Sequence, residues 1–117
     1  MIELVHLGEI KKVDMLPREV QETVESILII LDEAYGESRT KNDDGGYVIV
    51  AERKEDFKAI EKNSYLNPNN VIVEYADKIE CSNGEIYINS LILCNNDYSI
   101  SLITPLEITP ENILKQM

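Results

Sequence analysis

The sequence predicts an α+β fold: a mainly antiparallel sheet of about four to six strands, one long amphipathic helix packed on a face, and two short helices. The prediction depends on three patterns. A helical pattern covers residues 17–35, a continuous β-branched run occupies residues 47–51, and strand-like segments separated by short turns fill most of the chain after residue 70. With 117 residues and neither linker nor repeat, the chain is expected to form a single domain, 1–117.

The helix at residues 17–35 is the clearest predicted element. Pro17 suits its start, where a missing backbone donor costs nothing, and Gly36 marks its end. A period of about 3.6 residues gathers one apolar set on a single face. That inward set consists of Val20, Val24, Ile27, Leu28, Leu31 and Tyr35. The opposite face carries Glu22, Glu25, Ile29 and Glu33. Ile30 falls between the two faces.

The segment before this helix is predicted to form a β-hairpin. Residues 2–7 and 10–15 supply its strands, and Gly8 with Glu9 supplies a two-residue turn. The only histidine, His6, lies in the first of these strands. A packed or half-exposed side chain is expected there rather than a catalytic one.

The second half of the chain alternates strand and turn signals. Residues 53–62 are predicted to form a short helix, and the asparagine-rich residues 63–70 a loop. Short turns then predict an antiparallel meander over residues 71–75 (extending to 81 in a longer alternative), 85–94 and 98–103. A last short helix is expected to have Thr109 as its cap and Pro110 as its first residue.

Charge is the outlier of the composition, since 11 Lys and Arg residues against 22 Asp and Glu residues give a net charge of −11. Direct binding to nucleic acid is disfavoured, because it requires a clustered positive surface. Solubility is one interpretation of the acidity. The alternative is that acidic surfaces bind a basic surface of another protein.

Several chemistries are disfavoured by the residues present, and no cofactor is predicted. Gly45 and Gly46 precede a strand and lack the Lys-Ser/Thr of a phosphate loop. Zinc would need about four Cys or His ligands at paired spacing. Cys81 and Cys94 are predicted to be reduced, because a turn at residues 82–84 would hold them too far apart for a disulfide. No membrane segment or leader is recognised, so a cytoplasmic location is expected.

Three segments carry a resemblance: LDEAYGESR at residues 31–39, DDGGYVIV at residues 43–50, and LITPLEITPEN at residues 102–112. Through them the chain resembles a group of small, acidic, uncharacterised proteins from phages and prophages of Gram-positive bacteria. The resemblance implies a phage-related setting and transfers no functional residue.

The leading functional hypothesis is a non-catalytic protein-binding module, for example a phage-type inhibitor or adaptor that acts on a basic surface of a host or phage protein. Its predicted contact residues are Glu22, Glu25, Ile29, Glu33, Arg39, Asp43 and Asp44. Two alternatives stay open. The first is a structural or self-associating homo-oligomer with Ile29 in a symmetric interface. The second is a divalent-metal-dependent enzyme that uses the loop of Asp43 and Asp44.

Overall fold

The structure is a computed structural model that describes residues 1–61, 72–95 and 97–117. Within them the fold is α+β, as predicted. The strands are β1 (Ile2–Leu4), β2 (Gly45–Val50), β3 (Ile72–Glu80), β4 (Ile86–Asn95) and β5 (Tyr98–Pro105). The α-helices are α1 (Arg18–Tyr35), α2 (Lys54–Glu61) and α3 (Glu111–Leu114), and 3₁₀-helices cover Leu7–Val13 and Leu106–Ile108.

The described strands form one mixed sheet with the order β1-β2-β5-β4-β3. β3, β4 and β5 make the predicted antiparallel meander, and β1 pairs antiparallel with β2. β2 and β5, however, run parallel, with residues 45–50 opposite residues 98–103. The prediction of a mainly antiparallel sheet is therefore confirmed, with one parallel pair that local patterns did not reveal.

The start of β2 requires two glycines. Gly46 has φ +84°, and a Cβ at this position would lie 1.6 Å from the carbonyl oxygen of Ser99 on β5. At Gly45, with φ +99°, a Cβ would lie 2.6 Å from Cδ2 of Tyr35. Tyr35 was expected to point into the core, but its ring lies over Gly45 and the residue is 47% exposed.

The long helix α1 packs on one face of the sheet. Its residues Val20, Val24 and Leu28 are fully buried in a core that includes Val48 and Val50 of β2. Burying each such side chain contributes about 1.5–3 kcal/mol to folding. The inward stripe predicted from the sequence is thus confirmed for these three residues, whereas Ile27 and Leu31 are half-buried.

Shorter elements cover the opposite face. Tyr47 and Ile49 of β2 point there, because side chains alternate between the two faces of a strand. Their core also contains Ile113 of α3, and Phe57 of α2 packs against it. All six residues of β2 are buried, as expected for a central strand covered on both sides.

Two further local predictions are wrong. The N-terminal hairpin does not form: after β1, Glu9 Oε1 accepts hydrogen bonds from the backbone N–H groups of Val5 (2.8 Å) and His6 (3.3 Å), and the chain continues as a 3₁₀-helix. Thr109 does not cap α3 with its side chain, since its hydroxyl donates to the carbonyl oxygen of Pro105 at 2.8 Å. The predicted loop at 63–70 lies outside the described residues.

No helix in the described ranges combines the length and the apolar character needed to cross a membrane.

The approach of β2 to β5 provides a test of the fold. We expect Gly46→Ala to lower the free energy of unfolding by at least about 3 kcal/mol, because the new methyl group would overlap a backbone carbonyl. Urea denaturation followed by circular dichroism measures the loss. Gly8→Ala is the matched control, since no heavy atom lies within 4 Å of its added Cβ. Equal stabilities of the two variants would contradict the β2–β5 geometry.

Candidate functional site

The outer face of α1 holds four of the residues predicted to contact a partner. Glu22, Glu25, Ile29 and Glu33 are all exposed. Ile29 is nevertheless only 36% exposed, whereas the neighbouring Ile30 is 64% exposed. The more accessible apolar side chain is therefore the one that sequence reasoning placed between the two faces.

Ile30 lies on the wall of an open groove beside α1, which we call the α1 groove. The wall consists of Ile27, Ile30 and Leu31. The floor consists of Tyr75 on β3, Leu91 on β4, and Ser99 and Ser101 on β5. Gly45 lies at one end. The groove thus lies over the half of the sheet formed by β5, β4 and β3.

The path of α1 explains why this groove is open. Near its start, Glu19 Oε2 accepts a hydrogen bond from the backbone N–H of Ser82 (3.0 Å), in the turn between β3 and β4. Near its end, Asp32 Oδ2 accepts one from the backbone N–H of Leu7 (3.1 Å), beyond β1. Because β3 and β1 are opposite edges of the sheet, α1 crosses it diagonally. The end of β3 and β4 farthest from Ser82 is therefore not covered by α1.

Apolar side chains continue the groove floor along that uncovered end. Ile72 pairs with Leu93, and Leu93 pairs with Ser99, so all three share the face of Leu91. Ile72 is 64% exposed and Tyr75 is 44% exposed. Large apolar residues exposed side by side are unusual on a protein surface and commonly mark an interaction site.

Along the sequence, acidic residues lie close to those that line the α1 groove. Glu33 lies one turn after Ile30, and Asp44 directly precedes Gly45. Asp77, two positions after Tyr75, pairs with Asn89 and shares the groove face of β3. The groove therefore combines apolar walls with an acidic border.

The basic residues of α1 and β3 lie away from the α1 groove. Arg18, the only basic residue of α1, is at the start of the helix and pairs with Glu22 at 2.8 Å. Lys78 on β3 pairs with Ile88, which belongs to the core on the opposite face of the sheet. Neither cation neutralises the border of the groove.

Arg39, which was predicted to contact a partner, is buried rather than exposed on the surface. It is 5% exposed, and its guanidinium donates to Asp32 Oδ1 and to the carbonyl oxygen of Gly36, each at 2.8 Å. It also donates to the carbonyl oxygen of Val5. Asp32 Oδ1 lies 3.3 Å from His6 Nδ1 as well. Arg39 thus ties the end of α1 to the segment after β1.

The loop that carries Asp43 and Asp44 forms a shallow polar depression with Tyr35 and Ser38. Both aspartates are exposed, but Asp43 Oδ2 accepts a hydrogen bond from the backbone N–H of Thr40 at 2.6 Å, as in a turn. In the three described ranges, no group of at least three His, Cys, Asp or Glu residues is arranged to hold a metal ion.

The thiols are free, as predicted. Burial raises the pKa of Cys94 to about 11 and also raises the pKa of Cys81. Both therefore stay protonated at neutral pH and are poor nucleophiles. Neither thiol lines the α1 groove.

No family model matches this chain, and neither a curated protein nor a solved structure gives a significant match.

The Arg39 contacts predict a pH dependence of stability. Burial alone would raise the pKa of Asp32, but the hydrogen bonds from Arg39, Leu7 and His6 outweigh it and lower that pKa. A carboxylate whose pKa is lower in the folded than in the unfolded protein stabilises the fold at a pH above its unfolded-state pKa, near 3.8. This stabilisation is lost as the pH falls through its folded-state pKa. We expect Asp32→Asn to lower the free energy of unfolding by about 2 kcal/mol at pH 7, with the deficit shrinking below about pH 4.

Urea denaturation from pH 7 down to about pH 3 measures this difference. Glu33→Gln is the control, because Glu33 is an exposed carboxylate on the same helix. A deficit for Asp32→Asn that stays constant over this pH range would contradict the assigned role of Asp32.

Proposed function

We propose that this protein is a non-catalytic protein-binding module that receives a basic surface of another protein in the α1 groove. The observation that carries the proposal is the groove itself, an open apolar surface whose bordering charges are carboxylates. A phage-type inhibitor or adaptor in the cytoplasm is the biological setting that we propose for it, in line with the sequence resemblance.

The two components of this surface have separate physical roles. Buried apolar anchors supply most of the affinity of a typical interface. Complementary charge accelerates encounter and selects the partner. Ile30 is the anchor that we favour over Ile29, since it is more exposed and borders the apolar floor.

The groove chemistry favours binding over catalysis. Its lining side chains are aliphatic apart from Tyr75, Ser99 and Ser101, and no general base is among them. His6 lies outside the groove and is close to Asp32. A symmetric interface through Ile29 is less favourable, because it would bring the acidic outer face of α1 against its own copy.

Capture from bacterial lysate tests the proposal. We expect immobilised wild-type protein to retain a basic partner that Ile30→Asp loses by at least about tenfold, because the added carboxylate must be desolvated in the apolar contact. Quantitative mass spectrometry of the eluates measures the loss. Raising the salt from about 0.1 M to about 0.5 M is expected to weaken capture by the wild type as well.

Met15→Asp is the matched control, because Met15 is an apolar residue that is 86% exposed and does not line the groove. It should retain the partner at the wild-type level. Equal capture by both variants would exclude the α1 groove as the binding surface.

A further inference from the structure

We infer that the partner element bound in the α1 groove is a basic amphipathic α-helix, which lies beside α1 over β4 and β3. The inference rests on the proposed function and specifies the conformation and sequence pattern of the partner. Four features support it: the width of the sheet, the angle between the apolar surfaces, the length of the groove floor, and the sign of the surrounding charge.

The sheet is too wide for one helix. Five strands spaced by about 4.8 Å span about 19 Å, whereas a helix with its side chains is about 10 Å across. α1 therefore covers roughly half of this face. Among the described residues, the 3₁₀-helix Leu7–Val13 shares the core of α1 beside β1, whereas no second helix lines the groove on the side of β4 and β3. The strip over β4 and β3 that these described helices leave open is where a further helix fits.

The apolar surfaces of the groove meet at an angle. Ile27 and Ile30 form a wall that rises from the sheet, and Tyr75 with Leu91 forms the floor. A helix with an apolar stripe about 100° wide contacts wall and floor together. A strand added beside β3, the last strand of the sheet in the described residues, would continue the floor outward, away from Ile30. The geometry therefore favours a helix over an added strand.

The length of the uncovered floor also suits a helix. Tyr75 pairs with Leu91, and Ile72 pairs with Leu93, two residues farther along β4. Two residues of strand span about 6.6 Å, close to one helical turn of about 5.4 Å. Apolar side chains at i, i+4 and i+7 of a partner helix would reach both pairs.

Charge distinguishes a foreign helix from a second copy of this chain. The groove is bordered by Glu33, Asp44 and Asp77, so a helix with Lys or Arg beside its apolar stripe is attracted to it. α1, the longest helix in the described ranges, carries carboxylates outside its stripe and has Arg18 as its only basic residue. A second copy would therefore meet like charge.

Synthetic peptides test the inference directly. The probe is a fluorescein-labelled peptide of about 18 residues with leucine at i, i+4, i+7 and i+11 and lysine beside this stripe. Two controls have the same composition, one with leucine and lysine alternating as in a strand and one scrambled without an apolar face. Fluorescence anisotropy in about 0.1 M salt measures the dissociation constants.

We expect the helical peptide to bind at least about tenfold more tightly than either control and to gain helical circular dichroism on binding. Ile30→Asp should weaken this binding at least about tenfold, and Met15→Asp should change it less than about twofold. Because Ile30 is 64% exposed, its substitution should leave the urea midpoint of the protein close to that of the wild type.

Other outcomes overturn the inference. Preferred binding of the alternating peptide would indicate strand addition at β3. Equal binding of all three peptides would indicate attraction by charge alone. A wild-type dimer that Ile30→Asp dissociates, detected by light scattering, would assign the groove to a second copy. If no peptide binds but lysate capture still depends on Ile30, the proposed function stands and the helical partner is wrong.

Discussion

The parallel pairing of β2 with β5 is the contact on which the rest of this structure depends. It joins the N-terminal half of the chain, with β1 and α1, to the meander of β3, β4 and β5. The pairing requires Gly46, whose missing Cβ lets the backbone approach Ser99. Because Ser99 and Ser101 also line the α1 groove, the same pairing fixes the groove floor relative to the helix that forms its wall.

The diagonal course of α1 follows from anchors at opposite edges of that sheet. Glu19 holds the turn between β3 and β4, while Asp32 bonds to Leu7 and Arg39. Arg39 is nearly fully buried, and a buried cation is tolerated only when it is paired and hydrogen-bonded. The ion pair therefore fixes the end of α1. Because that end is held near β1, the α1 groove stays open on the side of β4 and β3.

Patterns local in sequence predicted the elements but not their long-range arrangement. The period of α1 and the β-branched run of β2 were sufficient to predict a helix and a buried strand. The parallel β2–β5 pair joins segments about fifty residues apart, and nothing local encodes it. The hairpin prediction failed because the Glu9 carboxylate bonds to backbone N–H groups, which favours a turn of helix over a strand. The place of Ile30 in the groove wall was not predicted, because the helical period gives the direction of a side chain but not the position of the sheet edge.

The acidic charge and the exposed apolar groove are physically connected. An apolar surface of this kind on a neutral protein would promote association between copies. Carboxylates at Glu33, Asp44 and Asp77 oppose that association, because each copy presents the same sign of charge. The same carboxylates would attract the basic partner that we propose, so one charge distribution would disfavour self-association and favour that contact. On this proposal the net charge of −11 serves specificity for a basic partner as well as solubility.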